Sequence, residues 1–276
     1  MNVLMPPSVN LQELDDLYAR YNRREVAHED PVHFLYAYDD PCDREIVGLV
    51  ASSLALGNIK QIIGSVQSVL QHMGASPARF LKRSSREKLQ QMFAGFQHRF
   101  IRGNELASML FGAECIIQKR GSLHACFSAN MKADDETVLP ALSAFAKEVN
   151  AATHEQPNRL LPSPEKGSAC KRLNLFLRWM VRRDSVDPGG WDNVSPAKLI
   201  IPLDTHIHRI CRALGLTRRK QATMNTALEI TAAFREIVPE DPIRYDFALT
   251  HLGIDGGPNL RLFLKRREGC RLGKYV

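Results

Sequence analysis

An acidic residue stands at the start of a predicted helix in segment 201–211. Pro202 ends the preceding segment, and Asp204 takes the N-cap position, where a carboxylate accepts hydrogen bonds from the first free backbone N–H groups. Apolar residues then recur at helical spacing. The positive end of the helix favours an ionised carboxylate there, which could stabilise a developing positive charge or take a proton. For Asp204 considered alone, a plain helix cap is the simpler interpretation.

A lysine stands at a second predicted helix start. Gly167 permits a tight turn. Residues 168–171 are predicted to form the first turn of a helix that runs to residue 182. Backbone N–H groups in such a turn can bind a phosphate, and the positive helix end favours the neutral, nucleophilic amine of Lys171. Local sequence alone favours an ordinary surface lysine. An amine and an acid that meet at two helix ends would suit imine chemistry on an aldehyde-like carbon.

Two histidines follow the acid. His206 and His208 are two positions apart, so they do not share a helical face, and a metal site built on Asp204 and both rings is not expected. A core position or a position that faces a nucleic acid is the preferred interpretation of these histidines. We expect no metal and no other cofactor.

Three further residues could contact a base. Phe176 and Trp179 lie on the predicted lysine helix and could stack on a base, although core packing is preferred for at least one of them. Asn58 follows a short loop between two apolar helices. It is either an N-cap or a side chain that fills the space left by an extruded base.

The composition fits a soluble globular protein with a polyanionic partner. The chain has 276 residues, 44% of them hydrophobic and 24% charged, and a formal net charge of +7. The excess of Lys and Arg favours nucleic acid as the partner, although a basic surface that binds nothing has the same charge. The 6 cysteines include no C-x-x-C pair, which argues against zinc and iron–sulfur sites. We find no signal peptide and no long apolar run, so a cytoplasmic protein without membrane contact is expected.

The periodicity is helical almost throughout and predicts an all-α fold. No alternating run is long enough to predict a sheet. The connections at 151–167 and 183–197 are polar and contain proline, and a basic tail runs from residue 261 to 274. These connections predict two helical lobes with a cleft between them. The first helix is predicted at Leu11 to Tyr21. The others are predicted at 46–54, 59–73, 84–94, 104–119, 137–149, 168–182, 204–215, 223–238 and 241–252.

The two motifs together resemble the helix-hairpin-helix superfamily of DNA glycosylases. Residues 203–211, Leu-Asp-Thr-His-Ile-His-Arg-Ile-Cys, are similar to the superfamily segment Val-Asp-Thr-His-Ile-x-Arg-Val-Cys. Leu161-Pro162, followed by Gly-Ser-Ala-Cys-Lys at 167–171, resembles the hairpin Leu-Pro-Gly-Val-Gly-x-Lys, with residues 163–166 as an altered turn. Residues 43–73 resemble the first core helices and the inserted-asparagine loop of the 8-oxoguanine enzymes. The long gap between the two motifs resembles that of the archaeal GO glycosylases.

The resemblance implies roles for individual residues. Asp204 matches the catalytic aspartate and Lys171 the Schiff-base lysine. Asp246 matches an acid that contacts the damaged base in the archaeal enzymes. The remaining candidates would bind DNA or the base, and they are Asn58, Gly167, Ser168, Cys170, Arg172, Phe176, Trp179 and His206.

The implied protein is a bifunctional DNA glycosylase with AP lyase activity that excises 8-oxoguanine from double-stranded DNA. It would be a monomer of one helix-hairpin-helix unit, with a first lobe at 30–150 and a catalytic lobe at 151–276. Two other functions remain open. One is a module that binds damaged or structured DNA without catalysis, and the other is a metal-dependent hydrolase that uses Asp204, His206 and His208.

Overall fold

The chain is helical almost throughout, as its periodicity predicts. The computed structural model describes residues 9–151, 158–256, 260, 261 and 263. Its α-helices are α1 (Leu11–Tyr21), α2 (Arg24–Ala27), α3 (Pro41–Ser53), α4 (Ile59–Met73), α5 (Pro77–Lys82), α6 (Arg86–Met92), α7 (Gly103–Arg120), α8 (Leu123–Ser128), α9 (Leu139–Ala151), α10 (Lys171–Val181), α11 (Thr205–Ala213), α12 (Met224–Arg235) and α13 (Asp246–Asp255). Short 3-10 turns add Pro31–Ala37, Pro164–Lys166 and Pro196–Lys198.

Polar caps start several of these helices where the sequence places them. The Asn58 side chain accepts a hydrogen bond from the Lys60 backbone N–H at 2.9 Å and begins α4. The Asp204 side chain caps α11 in the same way. The last helix predicted, 241–252, begins later than expected, at Asp246, because residues 241–245 form turns instead.

Helix α10 runs through the core and packs against α3. Every residue of α10 from Leu173 to Val181 is buried. Phe176 and Trp179 are both 0% exposed, and Phe176 packs edge-on against Trp191. Core packing, the interpretation preferred for at least one of these rings, describes both of them in this structure.

One small β-hairpin is present where no sheet was predicted. Strands β1 (Gln97–His98) and β2 (Ile101–Arg102) pair antiparallel through a two-residue turn, so the elements are too short to leave an alternating pattern in the sequence. His98 fixes the hairpin to α4, because its Nδ1 lies 2.9 Å from Ser65 Oγ. Its Nε2–H donates to the Leu56 carbonyl oxygen at 3.0 Å. Burial lowers the pKa of His98, which fits a neutral ring that accepts at one nitrogen and donates at the other.

A buried carboxyl joins three segments of the core. Glu45 on α3 accepts hydrogen bonds from the backbone N–H groups of Leu123 at 2.8 Å and His124 at 3.2 Å, at the start of α8. It also accepts from Trp191 Nε1–H at 3.0 Å. Burial raises the pKa of Glu45 to about 7, against the effect of these donors. Glu45 therefore serves as a cap for a helix that lies far from it in sequence.

A cluster of buried ion pairs orders the connection after α10. Arg178 donates through Nε to Asp187 Oδ1 at 3.1 Å and through Nη1 to Asp246 Oδ2 at 2.6 Å. Arg182 pairs with Asp187 as well, with Asp184 at 2.8 Å and with Asp241 at 2.9 Å. These contacts tie the 183–197 connection and the start of α13 to one face of α10.

Helices α11 and α13 pack closely because of one glycine. A Cβ at Gly253 on α13 would lie 2.9 Å from the Cβ of His206 on α11, closer than real Cβ atoms approach. Glycine at this position therefore lets the helix that begins at Asp204 lie directly against the helix that begins at Asp246. Across the described ranges, no helix has the length and apolar character needed to cross a bilayer.

Candidate active site

The two residues singled out by the sequence lie in direct contact. Lys171 is the first residue of α10 and Asp204 precedes α11, and Lys171 Nζ lies 3.2 Å from Asp204 Oδ2. The lysine side chain is 35% exposed and the aspartate side chain 15% exposed. Residues 33 positions apart in the chain are thus joined as an amine–carboxylate pair that solvent and a ligand can reach.

The two oxygens of Asp204 have separate partners. Oδ1 accepts the backbone N–H groups of His206 and Ile207, both at 2.9 Å, and so caps α11. Oδ2 faces Lys171. The cap holds the carboxylate in one orientation because it fixes one oxygen, and the other oxygen stays directed at the amine. Capping and chemistry, which the sequence presents as alternatives, are compatible in this geometry.

The turn before Lys171 differs from the predicted first helical turn. Helix α10 begins at Lys171 rather than at Ser168, and Cys170 is its N-cap residue, with φ 46° in the left-handed region. Gly167 is also left-handed, with φ 79°. One backbone N–H group in the stretch expected to bind phosphate already has a partner, because that of Cys170 donates to Ser168 Oγ at 3.3 Å. The N–H of Gly167, just before this stretch, donates to the Pro164 carbonyl at 3.0 Å.

This turn is held by the segment that precedes α12. The Met224 N–H donates to the Gly167 carbonyl at 3.1 Å, and Ser168 forms a β-bridge with Thr223. Cys170 is 2% exposed and its Sγ–H points to the Pro162 carbonyl at 3.6 Å. Burial raises the pKa of this thiol. The Cys170 side chain therefore secures the turn from inside, and its contact with DNA stays a prediction.

Arg172 supports the site from behind rather than reaching outwards. Its Nη1 donates to the Ser53 carbonyl at 2.8 Å, and its Nη2 donates to the Arg159 carbonyl. Burial lowers the pKa of this guanidinium. Because these contacts use the ends of α3 and of the connection before α10, Arg172 fixes the base of the helix on which Lys171 stands. A direct role of Arg172 in DNA binding stays a prediction.

The two histidines of α11 point to different backbone partners. His206 Nδ1–H donates to the Gly253 carbonyl at 3.1 Å, and His208 Nε2–H donates to the Arg219 carbonyl at 3.0 Å. Among the described residues, no group of three or more His, Cys, Asp or Glu side chains could hold a metal ion. His206 therefore secures α11 against α13, next to the close approach at Gly253.

Asp246 is 2% exposed and lies near enough to the amine–carboxylate pair for both charges to act on it. Burial raises its pKa to about 6, Arg178 opposes this increase, and the charges of Asp204 and Lys171 act on it more weakly. One oxygen of Asp246 binds Arg178. Within the part of the chain that the structure describes, its other oxygen, Oδ1, and Arg178 Nη2 are buried without a hydrogen-bond partner. Buried polar atoms are rarely left without partners, so this pair has unused capacity to bind a polar group.

Asn58 is exposed at the N-cap of α4, apart from the amine–carboxylate pair in sequence and element. Its loop contacts the β-hairpin: a Cβ at Gly57 would lie 2.6 Å from Arg99 Nη1. The cap bond to Lys60 uses the side-chain oxygen of Asn58. A role in filling space within a duplex remains a prediction. The basic tail at 262 and 264–276 lies outside the described residues.

Two residues of functional interest were not singled out from the sequence. Arg178 stands within the apolar run Leu-Phe-Leu-Arg-Trp-Met-Val at 175–181, and a charge in such a run signals a buried partner. Phe100 stands at the hairpin tip and is 48% exposed. Its only sequence signal is an aromatic residue among arginines in a segment without a clear period.

A model of the family described as Protein of unknown function (DUF2400) matches residues 30–255. No curated protein and no solved structure matches the chain.

Proposed function

Since this chain belongs to the DUF2400 family, we propose its activity from the site itself: a bifunctional DNA glycosylase and AP lyase that removes oxidised guanine from duplex DNA. The observation that carries the proposal is the 3.2 Å contact between Lys171 Nζ and Asp204 Oδ2. It joins the two residues to which the resemblance assigns the roles of nucleophile and catalytic aspartate. The two-lobed helix-hairpin-helix arrangement, with a cleft for an extruded nucleotide, belongs to this proposal.

The first chemical step is substitution at the sugar. Once deprotonated, the amine of Lys171 attacks C1′ of the damaged nucleotide while Asp204 is ionised, and the C1′–N9 bond breaks with its electron pair leaving on the base. The proton that the alkylated amine then loses passes through Asp204 to the departed base. Positive charge develops on the sugar as the base departs. Asp204 Oδ2 stabilises that charge, because the capping bonds at Oδ1 hold the carboxylate in place before the reaction begins.

The second step is strand cleavage. The sugar ring opens and leaves C1′ joined to Lys171 Nζ as a protonated imine. Loss of a proton from C2′ then expels the 3′ phosphate, and water later releases the lysine. The pair needs no metal for either step, because the iminium nitrogen itself accepts the electrons released at C2′.

Asp246, the acid near the amine–carboxylate pair, would contact the extruded base. The resemblance assigns base contact to Asp246, and the unpartnered Oδ1 atom supports this role. Asp246 Oδ1 is an acceptor and Arg178 Nη2 a donor, the two kinds of group that recognition of a purine edge requires, and both lie buried without a partner among the described residues. Phe176 and Trp179 are core residues, so stacking in the base pocket must come from other side chains.

Borohydride trapping tests the proposal directly. Reduction of the imine should give a covalent complex between the protein and a duplex that contains 8-oxoguanine, and Lys171→Gln should abolish it while DNA affinity changes by no more than a few fold. Lys198→Gln is the matched control, because Lys198 lies just before Asp204 in sequence but donates to the carbonyls of Lys132 and Ala133. An adduct that survives Lys171→Gln and disappears in Lys198→Gln would overturn the assignment.

The same assay distinguishes the competing functions. DNA binding without an adduct would indicate a non-catalytic module. Turnover that a chelator stops, again without an adduct, would indicate a metal-dependent hydrolase.

A panel of duplexes tests the substrate class. The lesions are 8-oxoguanine, thymine glycol, uracil and an abasic site, and the measurement is the rate of base release and strand cleavage for each. We expect 8-oxoguanine to be released fastest, from the resemblance at residues 43–73 and from the long gap between Lys171 and Asp204. A preference for thymine glycol would contradict this expectation, and cleavage of the abasic site alone would leave a lyase without a base pocket.

A further inference from the structure

The β-hairpin presents an aromatic side chain to solvent at its tip. His98 pairs with Ile101, so Arg99 and Phe100 form the two-residue turn between β1 and β2. His98 and Ile101 are buried, whereas Phe100 is 48% exposed. The hairpin is therefore anchored by the residues that flank the turn and holds a large apolar ring outside the core.

The conformation of the turn is unusual for its sequence. Arg99 has φ 55°, in the left-handed region, where a two-residue hairpin turn normally carries glycine, asparagine or aspartate. A side chain other than these costs roughly 1 kcal/mol there. The Arg99 side chain packs against Gly57, in the loop that leads to Asn58. This contact and the hydrogen bonds of His98 to Ser65 and Leu56 hold the hairpin tip in one position.

The surroundings of the ring are positively charged. The guanidinium carbon of Arg159 lies 5.8 Å from the centroid of the Phe100 ring. Arg99, Arg102 and Lys60 are exposed on the hairpin and on the adjoining start of α4. Glu105 pairs with Arg159 at 2.8 Å and offsets one of these charges. An exposed ring bordered by arginines matches the combination of stacking and phosphate contact that nucleic acids require.

The ring is connected to the catalytic pair through a short path. Arg172, the neighbour of Lys171, donates to the Arg159 carbonyl, and the Arg159 side chain faces Phe100. Arg159 thus contacts both the hairpin and the start of α10, where Lys171 lies.

We propose that Phe100 stacks on a nucleobase of the DNA bound at the Lys171–Asp204 site, with Arg99 and Arg159 against the neighbouring phosphates. The proposal rests on the DNA partner of the proposed function but not on its chemistry. A base exposed by local opening of the duplex is the ligand that fits, because a paired and stacked base offers no free face to the ring.

The experiment uses the full chain with Phe100→Trp as a fluorescent probe. Trp179 and Trp191 are both fully buried, so a change on adding ligand reports on the new indole. The ligands are a duplex with a tetrahydrofuran abasic site, the undamaged duplex, and heparin as a polyanion without bases. We expect strong quenching by the abasic duplex, less by the undamaged one and none by heparin. Quenching of equal size by heparin would overturn stacking.

Affinity measurements supply the second readout. Phe100→Ala should weaken binding of the abasic duplex about tenfold, and Phe100→Tyr should restore most of it. Leu11→Ala is the control, because Leu11 is 42% exposed on α1 in an acidic segment and should bind DNA like the unaltered protein. Unchanged affinity in Phe100→Ala would refute the proposal.

The outcomes separate this proposal from the proposed function. Borohydride trapping with normal affinity in Phe100→Ala would refute stacking and leave the glycosylase intact. Base-dependent quenching in a protein that forms no adduct would refute the lyase chemistry and leave the stacking contact.

Discussion

At the scale of single residues, the division of labour within Asp204 is the most informative feature. One oxygen completes the start of α11 and the other meets Lys171. A carboxylate held in this way does not need to reorient when positive charge develops beside it. Electrostatic stabilisation by a group positioned in advance is among the largest contributions to enzyme rates.

Asp204→Asn separates these two functions. Asparagine caps helices nearly as well as aspartate, and the ion pair with Lys171 is partly exposed, so the free energy of unfolding should change by about 1 kcal/mol or less. Base release should fall by about 100-fold or more, because the amide carries no negative charge. Denaturant unfolding and single-turnover excision measure the two effects. Full excision by a stably folded Asp204→Asn protein would reduce this residue to a helix cap.

At the scale of elements, Glu45 makes the packing of α3 against α8 dependent on pH. The pKa of Glu45 rises from 4.5 in the unfolded chain to about 7 in the folded protein, so the folded state binds the proton more tightly. The stability that this group contributes is complete below about pH 4.5 and declines as the pH rises towards 7.

Glu45→Gln should remove this dependence. As the pH rises from 4.5 to 7, the unaltered protein should lose roughly 2–3 kcal/mol of unfolding free energy relative to the variant. Denaturant titrations at several pH values measure it. Taking the difference cancels other groups that titrate in this range, including His98 and His251, whose pKa values are lowered by burial. A difference that stays constant across this range would contradict the assignment.

The elements also show how far sequence patterns reach. Helical periodicity and capping residues are local, and they correctly predicted most of the longer helices and the caps at Asn58 and Asp204. The short helices α2, α5 and α8 were not predicted. The start of α10 was misplaced because Ser168 bonds to Thr223, a partner far away in sequence. The burial of Phe176 and Trp179 depends on helices packed around α10. Hydrophobic periodicity reports only on neighbouring residues, so it can reveal neither a bonding partner distant in sequence nor how many helices surround α10.

At the scale of the whole molecule, the formal net charge of +7 predicts how binding responds to salt. Each phosphate neutralised releases close to one counterion, so log K against log salt should have a slope of roughly −3 to −6 for the complex with duplex DNA. Fluorescence anisotropy at several salt concentrations measures the slope. A flat profile would remove the nucleic-acid interpretation of the charge.

Metal dependence is tested on the same complex. Imine chemistry proceeds without a metal, so EDTA should leave base release and borohydride trapping unchanged. Activity that is lost in EDTA and restored by one divalent ion would favour the hydrolase, or would show that the turn before Lys171 binds an ion.

The ion pairs of α10 have a consequence for the order in which the chain can fold during synthesis. Arg178 and Arg182 pair with Asp187, which follows them closely in the chain, but also with Asp246 and Asp241, which leave the ribosome much later. Burying the two guanidinium groups with only part of these acids in place is costly, so the nascent helix should stay undocked until residue 246 has emerged. Lys171 begins that helix. The Lys171 amine therefore gains its final position only late in translation, and a chain that stops short of Asp241 should not assemble the contact between Lys171 and Asp204.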